Sequence, residues 1–344
     1  MNRRSLWALV LLSLLLAVAL AACGGGGETP AGESPTEEPA GEATMDPAGE
    51  TAAEGEKITI KLAENPWSAS MINANVAKIL LEEQLGYPVE IVTIDENAQW
   101  PSLATGDLSA SLEVWPSGHA ENVAQYIDAQ GVVENGGPLG PVGKIGWWIP
   151  TYMVERNPAL ATWEGFMDPA AAAEFATAET GDLGQFLGGD PSWVQYDADI
   201  IKNLGLPLQV VYAGSEQAIL AALDGAYSRE EPILFYFYTP HSAFANYDLT
   251  GVALPEHTEE CYAEADSGGV DCDYPSDVLF KVFWAGLAEA APDAHTLLKN
   301  MNYSTEEQIK MVAAMDVDGK TAEEAAREWL AANESLWQSW LPGN

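Results

Sequence analysis

From Lys57 onward the apolar positions switch between two periods. "ITIKLAE" alternates as a strand does, "SASMINANVAKILLEEQLG" sets Met71, Ile72, Val76, Ile79 and Leu80 on one helical face before stopping at Gly86, and "PVEIVTID" alternates again. A shorter helix from Trp100 to Thr105 then leads through Gly106 and Asp107 into the strand "LSASLEVW". Strand, helix, strand, helix, strand is the order of an open α/β sheet, in which ligands sit beyond the carboxyl ends of strands. Trp115 stands at such an end.

A looser copy of this unit follows. "LQVVYAG" predicts a strand, Ser215 to Leu223 a helix, and "PILFYFYTPHS" a second strand. Both units close alike, with a strand running into an aromatic and a proline and a histidine close behind: Trp115, Pro116 and His119 in the first, Tyr238, Pro240 and His241 in the second. Two such halves would each offer a strand-end aromatic to a shared cleft.

The final 70 or so residues predict helices. "SDVLFKVFWAGLAEAAP" reads as an apolar helix ended by Pro292, while Ser304 with Glu307 and Thr321 with Glu324 form capping-box patterns. Ala325, Trp329, Ala332, Leu336 and Trp340 recur as one buried face of a last helix. The 288 residues from Lys57 are near the limit for a single core, so two lobes are expected. The first takes residues 57–144 and 250–344, the second 145–249. "GVVENGGPLGPVGKIG" is the expected crossing, and the return falls near Tyr247 to Pro255.

The N-terminus changes the picture by fixing the compartment. Arg3 and Arg4 precede a run from Leu6 to Leu20 in which only Ser13 is polar, and the run ends in Leu20-Ala21-Ala22-Cys23. These are the regions of an export signal over residues 1–23, and the last four residues match a bacterial lipobox, with Cys23 lipidated as the mature N-terminus. The run is short for a membrane-spanning helix. Residues 24–56 carry nine carboxylates, no Lys or Arg and almost no large apolar side chain, which makes them an acidic, disordered tether. The expected location is extracytoplasmic, held by lipid at the outer face of the cell membrane or in the periplasm.

Beyond the tether the formal charge is about −31, which opposes nucleic acid and anionic lipid as partners. With Cys23 assigned to lipid, Cys261 and Cys272 remain, an even pair outside the cytoplasm and therefore expected to form a disulfide. A metal site made from His257 and the same two cysteines has no paired C-x-x-C spacing. No metal and no cofactor is expected.

The chain has 12 Trp and 12 Tyr, and several stand at loop entrances rather than inside helices. Trp67 follows "AENP" after the first strand, Trp115 ends a later one, and Trp193 lies in "LGGDPSW". Tyr236 and Tyr238 share one face of "ILFYFY" by the period of two, with Tyr238 outermost. Taken singly each could be a packing aromatic; together they describe a box. A quaternary ammonium has no N–H to donate, and ring faces attract its diffuse charge by about 0.5–2 kcal/mol each once water is excluded. A carboxylate on the same ligand needs donors, which His241 and the backbone N–H groups near Ser68 and Ala69 at a helix start can supply.

In "LAENPWSAS", "GDLSASLEVWPSGH", "GWWIPTYMVE", "LGGDPSW", "ILFYFYTPH" and "WLAANESLWQSWLP" the sequence resembles the substrate-binding proteins of glycine betaine, proline betaine and choline ABC transporters. The resemblance covers nearly everything from Lys57 to the C-terminus. It implies an α/β, two-lobed periplasmic-binding-protein-like fold of type II, closing over a betaine in a cleft between the lobes. It also implies delivery of that ligand to an ABC permease in the membrane, in the service of osmoprotection, by a protein that is itself a monomer. Carried over by position, Trp67, Trp115, Trp193 and Tyr238 are cage aromatics and His241 a donor to the ligand carboxylate. Trp148 is a further candidate, although strand parity could equally turn Trp147 inward. Where the family often has tryptophan this chain has Tyr238, a weaker cation partner, and Glu64 and Glu113 near cage positions keep choline open as the ligand; a proline-type amino acid is the other alternative.

For an enzyme the chain offers little. It has no G-x-S-x-G, H-E-x-x-H or P-loop, and only four histidines, at 119, 241, 257 and 295. "DVDG" at 316–319 lacks the later ligands of a calcium loop. A binding protein is expected, with a secreted hydrolase as the remote alternative.

Overall fold

The computed structural model describes residues 57–263 and 265–343, all within one unit, Gly55–Asn344. The export signal over 1–23, lipidation at Cys23 and the tether over 24–56 lie outside the described residues. No helix among the described residues is long and apolar enough to cross a membrane.

The first half follows the hydrophobic pattern closely. β1 (Ile60–Glu64), α1 (Ser68–Glu83), β2 (Val89–Thr93), α2 (Gln99–Thr105) and β3 (Ala110–Val114) alternate as expected, with β1 parallel to both β2 and β3. Ile72, Val76, Ile79 and Leu80 of α1 are buried against this sheet, and the helix gives way at Gly86, whose φ of +65° is the left-handed conformation that glycine enters without steric cost.

β4 (Val133–Pro150) then carries the chain out of this half. It is a single 18-residue strand that takes in most of the stretch expected as the crossing. Its first part pairs antiparallel with β9 (Ser276–Trp284), and its last part with β7 (Phe235–Thr239) and β8 (Leu249–Val252). Register shifts between Asn135 and Gly137 and between Pro138 and Val142 show how a strand with so many breakers stays paired: it bulges where they fall.

The second half repeats the first. β5 (Gly184–Gly188), α3 (Asp197–Asn203), β6 (Leu208–Tyr212) and α4 (Glu216–Ser228) lead into β7, with β5 parallel to both β6 and β7. The Ser215 side chain caps α4 by accepting from the Ala218 amide. All strands join one mixed sheet in the order β2-β1-β3-β9-β4-β7-β5-β6, with β8 on β4.

Two expectations for the C-terminal region are corrected. "SDVLFKVFW" is not a helix but β9, lying between β3 and β4; from Leu279 to Phe283 it is buried on both faces, so that stretch has no exposed side from which to read a period. Pro292 accordingly opens α5 (Pro292–Asn300) instead of closing a helix. Lys281 of β9 is fully buried, and its Nζ donates to the carbonyls of Lys299 and Met301, groups that the end of α5 leaves unpaired. The expected last helix is broken at Asn333 into α7 (Ala322–Ala332) and α8 (Glu334–Gln338), so Trp329 and Trp340 meet by ring stacking, 5.9 Å between centroids, while Ala332 is exposed.

The capping boxes differ. At α7 both arms form between Thr321 and Glu324. At α6 (Thr305–Asp316) Ser304 caps the Glu307 amide, but the Glu307 carboxylate is engaged by Lys310 and the Trp329 indole. Cys261 and Cys272 are joined in a disulfide.

Candidate functional site

Four aromatics singled out in the sequence line one cavity. Trp67 comes from the turn between β1 and α1, Trp115 from the end of β3, Trp193 from the loop after β5 and Tyr238 from β7. Trp193 meets Trp67 nearly edge to face at 6.1 Å and 86°, and Trp115 meets Tyr238 in the same manner at 5.4 Å and 75°. Tyr236, Tyr274 and Tyr196 extend the wall, and Ile145 of β4, opposite Tyr238 in the strand register, completes an apolar side. The cavity is small, about 30 Å³.

Beneath these rings the polar atoms are paired with buried acids. Glu113 of β3 is 1% exposed; its Oε1 accepts from the indole N–H of Trp67 (2.9 Å) and of Trp115 (3.1 Å), and its Oε2 from Asn73 (2.6 Å) and Gln308 (3.1 Å). Burial pushes its carboxyl up to about 7, against the pull of those donors. Asp197 accepts from Trp147 (2.7 Å) and Tyr274 (3.1 Å) and is likewise pushed up to about 7 by burial. Glu96 reaches the rim, where it accepts from the Val194 amide and faces His119 at 3.1 Å. By contrast the Trp193 indole N–H, also buried, has no partner among the described residues.

His241 and Trp148 do not line the cavity, a correction to both expectations. His241 is buried with its Nε2 3.1 Å from Asp316 and 3.5 Å from Glu216. Its Nδ1 faces the Ala243 amide at 3.1 Å, and its Nε2 lies on the side of the two carboxylates. Burial pulls the imidazole down, but the two acids outweigh it and hold it up at about 9. Trp148 has the parity opposite to Ile145, so it leaves the cavity side, packs on Phe244 at 4.5 Å and donates to the Phe237 carbonyl. Trp147 shares the parity of Ile145 but lies deeper, against Phe186, and is not in the wall either.

The helix start assigned to a ligand carboxylate is also engaged from within the protein. The Ser68 amide donates to Glu216 at 3.3 Å, the Ser68 hydroxyl lies 2.7 Å from Glu216 and 2.8 Å from Asp316, and the Tyr238 hydroxyl donates to Glu216. Burial alone would raise Glu216, yet His241, Tyr238 and Ser68 hold it below its ordinary value. Glu216, His241 and Asp316 are close enough together to be considered for a metal, but the imidazole, held up at about 9, offers them an N–H and not a lone pair. The other cluster of this kind is built on the bonded cysteines and Asp271.

Tyr274, Tyr196, Glu96 and Ile145 were not found from the sequence. Tyr274 follows Cys272 by two residues in an irregular segment, where periodicity is silent, and only Ile145 had a usable signal, the parity of β4.

The protein-family model described as the substrate binding domain of the ABC-type glycine betaine transport system matches residues 58–332. A trimethylamine N-oxide-binding protein of Pelagibacter ubique is 30% identical over 299 residues, covering 84% of this chain and 93% of that protein. Among solved structures, the glycine betaine/L-proline-binding protein of Borrelia burgdorferi superposes with a TM-score of 0.67 at 18% identity, over 83% of this chain and 97% of that one. A choline-binding protein in complex with choline gives 0.66 at 21% identity, over 82% and 92%. The fold is therefore the mixed α/β fold of periplasmic binding proteins.

Proposed function

Because the chain belongs to the family of substrate-binding domains of ABC-type glycine betaine transport systems, extracytoplasmic binding proteins and not enzymes, we propose that it captures a small methylated amine lacking a carboxylate. Trimethylamine N-oxide is the first choice and choline the second. The cage is Trp67, Trp115, Trp193 and Tyr238, joined by Tyr236 and Tyr274. Electron-rich ring faces on several sides suit a trimethylammonium group, which has methyls to bury and no N–H to share.

One observation carries the choice among such ligands: the Ser68 amide and hydroxyl at the start of α1, and His241, expected to receive a ligand carboxylate, already face Glu216 and Asp316. A betaine would bring a further negative charge towards these two. An N-oxide asks for a single donor to its oxygen, and the unpartnered Trp193 N–H can serve. The Pelagibacter relative supports the same reading by its name.

In this reading residues 57–144 and 250–344 form one lobe and 145–249 the other, with β4 crossing between them. Lipid on Cys23 and the acidic tether would keep the protein at the membrane, where it hands the ligand to an ABC permease. Titration calorimetry with trimethylamine N-oxide, choline, glycine betaine and proline tests the proposal. The N-oxide or choline should bind most tightly, and a preference for glycine betaine or proline over both would overturn it.

A further inference from the structure

Glu113, like Asp197, is a buried carboxyl without a basic partner, but among the described residues Glu113 alone holds two of the cavity-lining indoles. Its four hydrogen-bond donors are all N–H groups of neutral side chains, and none of the ion pairs among the described residues includes it. A buried carboxylate so placed is stabilised by its donors but lacks a counter-charge. The indoles of Trp67 and Trp115, both held by Glu113, line the cavity.

We infer that Glu113 is a positioning and specificity-determining residue: by accepting both indole N–H groups on one oxygen it locks the mutual orientation of Trp67 and Trp115, and its negative charge behind them selects a cationic head group over a neutral one of the same shape. The inference rests on the cage reading of the preceding section. The geometry is restrictive. Trp67 precedes a helix and Trp115 ends a strand, yet both reach the same Oε1 at 2.9 and 3.1 Å, so rotation of either ring out of place breaks a charge-assisted bond. Asn73 from α1 and Gln308 from α6 hold the other oxygen, which leaves the carboxylate itself no freedom to follow a displaced ring. Donation to an anion also enriches the indole π-system in electron density, strengthening its attraction for a cation on the opposite side. Because burial holds the Glu113 carboxyl up at about 7, the arriving methylated ammonium supplies the counter-charge that favours its ionised form, and the probes are compared at pH 8.

The test compares two probes of one shape, choline and its uncharged carbon isostere 3,3-dimethylbutan-1-ol, on the full chain and on Glu113→Gln and Glu113→Asp. The native protein should prefer choline. Glu113→Gln should weaken choline at least tenfold and the alcohol less than about threefold, whereas Glu113→Asp, charged but too short for both indoles, should weaken the two probes together and keep their ratio. Equal losses of both probes in Glu113→Gln, or no loss, overturn the inference. Failure of the native protein to bind any methylated ammonium instead overturns the cage reading itself. Should Glu113→Gln not fold, the native protein decides by nuclear magnetic resonance: the indole N–H signals of Trp67 and Trp115, identified by replacement with Phe, should lie downfield of water-exposed indoles, in the range of Trp147 and Trp329, which also donate to carboxylates. Signals at the position of water-exposed indoles overturn the inference.

Discussion

Gly143 lies directly against Trp115: a Cβ on the glycine would stand 2.2 Å from Cζ3 of the ring. No side chain fits that gap, so the ring's place in the cavity wall depends on a residue of β4 that makes no polar contact with it. Gly189 stands in the same relation to Trp193, at 2.5 Å from Cε3. Gly143→Ala should therefore push Trp115 into the cavity and weaken ligand binding by at least about tenfold, roughly 1.4 kcal/mol, with the fold intact by circular dichroism. Unchanged affinity in calorimetry would show that the ring has room to yield.

Trp193 allows the ring face and the ring N–H to be separated. Trp193→Ala should weaken every methylated amine by tenfold or more. Trp193→Phe keeps a face and removes the donor, so it should cost trimethylamine N-oxide more than tetramethylammonium, which has no oxygen to receive a hydrogen bond. Parallel losses for the two ligands in competition binding would remove the assigned role of the N–H.

The ligand-free protein should lose stability as pH rises from about 5 to 8. Glu113 and Asp197 are raised by burial to about 7, and His241 is raised to about 9 by Asp316 and Glu216. All three hold protons more tightly folded than unfolded, so their stabilisation is complete at low pH and is lost as pH climbs through these values. Above pH 8 Lys281, pulled down to about 8 by burial and by Lys299, acts in the opposite direction. Melting temperatures measured across this range should fall, and His241→Gln should flatten the part of the slope above about pH 6.5. A melting temperature that rises between pH 5 and 8 contradicts the assignment.

Reduction of the Cys261–Cys272 disulfide, which spans a sequence separation of 11, should remove on the order of 2–3 kcal/mol. Because Cys272 is two residues from Tyr274 of the cavity wall, the loss should extend to affinity. Calorimetry and melting curves with and without a reductant of low potential read both effects; identical curves would make the bond dispensable.

What could be read from the chain beforehand divides along physical lines. Helix α1 was legible because its apolar residues keep one face, and α4 because Ser215 caps it. The aromatics that line the cavity were legible because strand ends are where an α/β sheet exposes side chains. β9 was not, since a strand whose residues from Leu279 to Phe283 are covered on both faces, the buried Lys281 included, shows no period that separates it from a buried helix. Nor was the placement of His241 beside two acids. Its partners Glu216 and Asp316 come from the start of α4 and the end of α6, and no local pattern ties either to the histidine. Tyr274 was missed for want of any repeat in the segment that carries it.

β4 has one more consequence. Gly143 and Ile145 stand on the same side of it, the first beneath Trp115 and the second across from Tyr238. Removing or adding one residue just upstream would turn both to the far face at once and bring their neighbours inward, with hardly any change in composition. Away from Gly143, natural variants should therefore exchange amino acids along this stretch more readily than they change its length, so the spacing itself is the inherited feature.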